Sequence, residues 1–296
     1  MSNKLPVSAH MGRVALSVAD LDRSLSFYRE CIGLQLLRTD KEMAFLGTPE
    51  RELLHLQEQP GARPTRNTTG LYHFALLLPS RLDLAKRLRH LIDTETRLDG
   101  AADHNVSEAL YLTDPDGHGI EIYRDRPRDE WQYLNGQLKM GTDTFDINGV
   151  LAELNGEAAI PSPMPDQTVM GHVHLHVSQL TDALDFYTNV VGFDLIMRYG
   201  PSAGFVSAGG YHHHLGLNTW AGEGAPPAPD ETARLLWYEI VVGDELDSSE
   251  LEKQLENAGV MVERNGSSLQ FQDPSANLIR ATSTSSSKNN MPNHIS

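Results

Sequence analysis

The chain contains one cysteine, Cys31, so no intramolecular disulfide can staple it. It is also short of positive charge. Lys and Arg number 24 against 40 Asp and Glu, for a formal net charge of −16 at pH 7. That balance argues against nucleic acid or an anionic membrane as a partner. No apolar run reaches the roughly 18 residues needed to span a bilayer. The opening residues, Met1 to Pro6, lack the apolar stretch of a signal peptide. A glycine-rich phosphate loop, a C-x-x-C pair and a Ser/His/Asp set in a plausible order are missing as well. These absences lead us to expect a cytoplasmic protein without a nucleotide cofactor.

What is present is a chain of 296 residues, 40% hydrophobic, long enough for one large domain or two ordinary ones. It also holds 13 histidines, many of them clustered. Arg13–Val18 alternates like a strand, and Leu21, Leu25, Tyr28 and Ile32 recur at helical spacing. Asp20 or Asp22 can cap that helix and Gly33 can end it. Short strands follow through Leu34–Leu37, Met43–Leu46 and Leu53–Gln57, completing a βαβββ unit. The pattern returns with strand Tyr72–Leu78, a helix from Leu82 to about Asp93, and a hairpin over 104–123. Residues 125–169 differ. They are polar around Asp125, Arg126 and Trp131, with a short helix expected over Ile147–Leu154 and a proline-rich linker over Ala158–Pro165.

A third unit then begins in register with the first. Val14, Leu16, Val18, Leu21, Leu25, Phe27, Tyr28 and Gly33 match Val173, Leu175, Val177, Leu180, Leu184, Phe186, Tyr187 and Gly192, each pair 159 positions apart. Asp114 and Asp273, near the ends of the second and fourth units, keep the same separation. One register over distant segments indicates an internal duplication. The expected organisation is a first domain over 8–127 (modules 1 and 2), a linker over 128–168, a second domain over 169–283 (modules 3 and 4) and a disordered tail over 284–296.

The stretch from His104 to Glu121 carries the chemistry. Leu110 and Leu112 share one face of a strand and Tyr111 takes the other. Asp114-Pro115-Asp116-Gly117 is turn chemistry. On the return strand Glu121 faces opposite to Ile120 and Ile122. The hairpin can thus present Tyr111 and Glu121 to one space, although a solvated surface hairpin would read the same way.

This stretch resembles the signature of type I extradiol ring-cleaving dioxygenases, carried here by His104, Leu110, Tyr111, Asp114, Pro115, Gly117 and Glu121. One departure is Ala102, where those proteins usually have glycine or a few other residues. Over nearly its whole length the chain resembles the vicinal oxygen chelate superfamily. The implied fold is α+β: four tandem βαβββ modules forming two eight-stranded open barrels. The implied cofactor is Fe(II), with Mn(II) as an alternative, held by two His and one Glu. The matching positions are His73, Glu121 and His172, because Arg13 and Trp237 hold the other first-strand positions and Arg280 the other last-strand one. Each has a plainer reading, as a satisfied core histidine or a solvated carboxylate. Of the cluster His212-His213-His214, His214 matches best the histidine that acts as acid and base beside the metal, with His213 open as the alternative. His104 and Tyr111 are implied to hydrogen-bond the substrate oxygens.

The resemblance implies cleavage of a catechol ring with O2 to a muconic semialdehyde. The partners would be a small aromatic diol and O2, with homo-oligomerisation left open. A glyoxalase-like metal-dependent lyase or isomerase is the nearest rival. There a fourth protein ligand usually occupies the position of Gly216. A non-catalytic small-molecule-binding member is another. The distribution of ligand types favours pairing of module 2 with module 3, leaving Arg13, His55, Trp237 and Arg280 around a second cavity. That pairing predicts His172 within about 10 Å of Glu121, since bonds near ~2 Å to one ion leave no larger gap.

Overall fold

A computed structural model describes residues 4–156, 163–243 and 248–283. The expected tail, and residues 158–162 of the expected linker, lie outside them. Module 1 comprises β1 (His10–Val18), α1 (Leu21–Ser26), β2 (Gln35–Asp40), β3 (Met43–Thr48) and β4 (Arg51–Glu58). Module 2 comprises β5 (Gly70–Leu78), α2 (Arg81–Asp93), β6 (Gly100–Asp103), β7 (Ser107–Thr113) and β8 (Gly119–Asp125). The connection adds β9 (Tyr133–Leu134), β10 (Gln137–Leu138), β11 (Asp143–Thr144) and α3 (Ile147–Ala152). Module 3 comprises β12 (Val169–His176), α4 (Leu180–Asp185), β13 (Asp194–Tyr199), β14 (Ala203–Ser207) and β15 (Leu215–Asn218). Module 4 comprises β16 (Leu235–Val241), α5 (Ser248–Asn257), β17 (Glu263–Asn265), β18 (Ser268–Gln272) and β19 (Leu278–Thr282).

The duplication survives in local detail. Asp20 caps α1 by accepting from the Arg23 backbone N–H. α1 and α4 each continue into a π-helical turn, Phe27–Ile32 and Phe186–Val191. Gly33 and Gly192 end those turns at φ 87° and 102°, in the left-handed region where a side chain would be strained.

The modules pair as 1 with 4 and 2 with 3. One open sheet runs β17-β18-β19-β16-β1-β4-β3-β2 and the other β11-β6-β7-β8-β5-β12-β15-β14-β13. The second has nine strands rather than the expected eight, because Asp143 and Thr144 of the connection pair with Asp103 and Ala102. Strand alternation sorts its two faces. Phe74, Leu76, Leu110, Leu112, Ile120 and Ile122 enter the main core with Leu84, Leu88 and Leu91 of α2. Ala75, Ala109 and Tyr123 pack on the opposite, concave face together with Tyr111. Burying each such leucine contributes about 1.5–3 kcal/mol, so the helix side holds the sheet and leaves the concave side free for polar groups. Among the described residues no helix is long and apolar enough to cross a membrane.

Two equivalent ties join the sheets. Tyr28 of module 1 donates its hydroxyl to Asp114 Oδ2 of module 2 at 2.9 Å. Asp114 Oδ1 meanwhile accepts the backbone N–H groups of Asp116 and His118 at 2.9 and 2.8 Å. At 159 positions further, Tyr187 donates to Asp273 Oδ2 at 2.8 Å, and Asp273 Oδ1 accepts from Ser275 and Asn277 at 2.8 and 2.9 Å. All four side chains are buried. Replacing Tyr28 by Phe leaves a buried carboxylate short of a donor and should cost about 1.5–3 kcal/mol. Asp114→Ala should cost more, because two backbone N–H groups lose their acceptor with it. Urea unfolding of both variants against the parent chain checks the order.

Candidate metal centre

β5, β8 and β12 lie side by side, and their registers decide which side chains meet. Ala75 of β5 pairs with Glu121 of β8 and with His172 of β12. His73 lies two residues before Ala75, so it projects from the same face. The outcome is a tight triangle. Glu121 Oε2 is 3.0 Å from Nε2 of both His73 and His172, and the two nitrogens are 3.3 Å apart. The expected proximity of His172 to Glu121 is met.

The three donors fit a divalent metal. Bonds of about 2.1 Å at right angles put donor atoms about 3.0 Å apart, against about 3.4 Å at the tetrahedral angle. Two of the three separations match the right-angle value. Three donors on one octahedral face leave three adjacent positions open. Electrostatics agree with this use. Burial works against charge on Glu121, but the charge of His172 and hydrogen bonds from His172 and His73 outweigh it and hold its pKa well below the carboxylate range. Burial keeps His73 below its ordinary value, so the neutral, ligating form prevails.

A cavity of about 350 Å³ opens on His73 and Glu121. Ala102, Met140, Met197, Phe205 and Trp220 give it apolar walls. His104, Tyr111, His174 and His213 give it polar ones. His104 and Tyr111 act as a pair. His104 Nδ1 faces the Gly141 carbonyl at 2.6 Å and must donate to it. In the neutral ring Nε2 is then an acceptor and takes the Tyr111 hydroxyl proton at 2.6 Å. Burial, and then the charge of Glu121, raise the Tyr111 pKa well above 10. Ala102, the departure from the signature, is buried in the cavity wall.

The histidine run is placed differently from the expectation. Residues 211–214 form a bend before β15, not a strand, so strict alternation does not hold there. His214 does not line the cavity. Its Nδ1 accepts from the Ala208 backbone N–H at 3.1 Å and so pins the β14–β15 connection. His213 takes the place beside the metal position, with its ring centroid 4.1 Å from that of His172. Behind it runs a chain that the sequence reading did not assemble. His212 Nε2 faces Asp125 Oδ1 at 2.9 Å and is therefore the donor. His212 Nδ1 lies 2.7 Å from His213 Nδ1 and accepts from it. This leaves His213 Nε2 as the unprotonated nitrogen. Asp125 alone carried no signal for this, since it lies four residues past Glu121 in sequence and meets His212 only across the sheet.

Gly216 faces His174 in the ladder, and a Cβ on it would sit 2.7 Å from the His174 ring. A ligating side chain has no room there while His174 holds its position.

Comparisons with known proteins agree with this architecture. The model of the Glyoxalase/Bleomycin resistance protein/Dioxygenase superfamily matches residues 10–122 and 169–280. The catechol-2,3-dioxygenase of Bacillus subtilis (strain 168) is 46% identical over 270 residues, 90% of this chain and 94% of that protein. The lactoylglutathione lyase of Escherichia coli O157:H7 is 29% identical over 120 residues, 38% of this chain and 89% of its own. Glyoxalase I from Zea mays shares the fold at a TM-score of 0.57 and 18% identity, over 94% of this chain and 93% of that one.

Two outcomes follow. Glu121→Ala should abolish stoichiometric binding of a divalent metal, read by elemental analysis of the purified protein, because the one anionic donor is lost and only two imidazoles remain. The second concerns acid stability. Burial pushes His214 down to about 3, whereas in the unfolded chain it titrates near ~6.5. As pH falls below the latter value, the unfolded state takes up a proton that the folded state refuses. Stability is therefore full above that pH and is lost progressively towards the folded value. Unfolding free energies of His214→Asn measured between pH 7 and 5 should fall less steeply than those of the parent, about 1.4 kcal/mol per pH unit less at most.

Proposed function

The chain belongs to the Glyoxalase/Bleomycin resistance protein/Dioxygenase superfamily, and on that premise we propose that it is an extradiol dioxygenase that cleaves a catechol with O2. The observation that carries this reading is the His73–Glu121–His172 face with no protein side chain at the Gly216 position. A bidentate substrate and O2 need three adjacent open positions, and a fourth protein ligand would take one of them. The same feature disfavours the lyase and isomerase reading suggested by the E. coli relative. The identity of 46% across 90% of the chain supports the catechol assignment.

Bound Fe(II), or Mn(II), would supply Lewis-acid chelation of the two vicinal oxygens and the electronic route to O2. The residues divide the remaining work. His213 Nε2, unprotonated because of its own Nδ1–H bond to His212, receives the proton of a catechol hydroxyl. Asp125 fixes the tautomer of His212 and, through it, that of His213. Tyr111, oriented by His104, is the donor towards charge that develops on the substrate oxygen: its hydroxyl can rotate its hydrogen bond from His104 Nε2 to that oxygen with no net proton transfer. Phe205 and Trp220 flank the polar floor with flat apolar surface suited to an aromatic ring. Both atoms of O2 enter the ring-opened semialdehyde, so no external reductant is needed. The reaction fits the cytoplasmic setting expected above.

Iron-loaded protein given a panel of substituted catechols should consume one O2 per catechol and release a yellow product. Absence of both O2 uptake and colour across the panel overturns the assignment. His213→Ala should lower kcat by about 10²–10⁴-fold, with metal content unchanged. His212→Ala should act in the same direction but less, because the base remains and only its tautomer is freed. Equal kcat in parent and His213→Ala would remove His213 from this role.

A further inference from the structure

Modules 1 and 4 enclose a second cavity, of about 650 Å³. It repeats the candidate metal centre position by position. Arg13 stands 159 residues before His172 on the equivalent strand. Arg280 pairs with Glu239 on β16 as Glu121 pairs with Ala75 on β5, so Trp237 occupies the position of His73. His55 pairs with Ala15 as Gly216 pairs with His174, so His55 fills the place that is bare in the other cavity. Where one cavity gathers candidate metal donors, this one is lined by Arg280, Trp237 and His55, while Arg13 is bound to Glu239. Guanidinium groups stay protonated and bind no metal.

The charges around it do not cancel. Glu239 is fully used: Oε2 accepts from Arg13 N and Nε at 3.0 and 2.8 Å, and Oε1 from Arg13 Nη2 and Thr282 Oγ1 at 2.6 and 3.0 Å. Glu52 engages His55 at 2.8 Å and Arg38 at 3.2 Å. Asp230 engages Arg234 at 2.7 Å. Arg280 is left over. Its Nε donates to Gln270 Oε1 at 3.2 Å, and among the described residues no carboxylate lies within ion-pair distance of it. Its guanidinium carbon sits 4.0 Å from the centroid of the Trp237 ring, which orients the fork. Trp237, His55 and Phe45 stand edge to face at 5.1 and 4.5 Å and form an aromatic cluster beside it. Burial, and then the like charge of Arg13, depress the Arg280 pKa, a cost that a bound anion would relieve. In a chain of net charge −16, a half-buried cation facing a cavity with no ion-pair partner among the described residues is a specific feature, although the more distant Glu239 offsets part of its charge.

We propose that this second cavity is a binding site for a small organic anion, whose carboxylate pairs with Arg280 and whose planar apolar body lies against Trp237, His55 and Phe45. A carboxylate matches the guanidinium fork in two parallel hydrogen bonds, and the cavity volume suits a ligand of this size. The site is independent of the chemistry assigned to the metal cavity.

Benzoate is the probe, titrated calorimetrically into the metal-loaded protein, with benzamide as its neutral counterpart. Benzoate should bind saturably and benzamide at least about tenfold more weakly, as expected for loss of a charge-assisted pair. Arg280→Gln should weaken benzoate by about tenfold or more, Arg280→Lys should restore part of it, and Glu121→Ala should leave it unchanged. Unfolding midpoints confirm that each variant is folded before its titration is read. No saturable binding, equal binding of benzamide, or loss in Glu121→Ala but not in Arg280→Gln would each overturn the proposal.

Discussion

The antiparallel register between β5 and β12 is the constraint on which the rest of this molecule depends. It sets Ala75 opposite His172 and His73 opposite His174. The parallel register of β5 with β8 then adds Glu121 to the same row. Side chains alternate along a strand, so a slip of one residue in either ladder would turn a candidate metal donor into the helix-packed face. The apolar residues prevent that slip. Phe74, Leu76, Ile120 and Ile122 are buried on the far side, and moving them to the cavity would expose a core worth several kcal/mol. Hydrophobic pattern and ligand geometry are thus two faces of one register.

A buried carboxylate between two imidazoles is costly unless charge or metal compensates it. The protein concentrates that cost at one point and surrounds it with groups whose protonation is fixed by neighbours. Gly141 fixes His104, and Asp125 fixes His212 and through it His213. Each tautomer follows from a single acceptor that cannot itself donate. His214, one residue further on, is fixed by the Ala208 N–H of its own connection, to which its Nδ1 must be the acceptor.

Duplication supplied the scaffold twice and the chemistry once. The Tyr28–Asp114 and Tyr187–Asp273 ties recur at one spacing and lock both sheets together. At the cavity floors the repeats have parted. Of the three candidate metal donors in one cavity, two are replaced in the other by Arg13 and Arg280, which carry permanent positive charge, and the third by the uncharged indole of Trp237.

The sequence by itself determined the four βαβββ units and their relation by a shift of 159 residues, which follow from periodicity and turn chemistry, both local or additive along the chain. The three candidate donors, His73, Glu121 and His172, come from the resemblance of the 104–121 stretch to a known signature, laid over that register. The sequence also bounded the pairing of modules 2 and 3, because only that pairing unites the donor types. The tertiary structure alone placed His213 at the cavity and His214 in the β14–β15 connection, since the bend at 211–214 breaks the alternation on which the expectation rested. It alone assembled Asp125 with His212, and Gly141 with His104, because hydrogen bonds between segments 37 and 87 residues apart leave no periodic trace. It alone showed why Gly216 is bare: the His174 ring fills the space a side chain would need. Spacing along a chain records which face a residue takes; which neighbour it meets there depends on strands brought together from elsewhere.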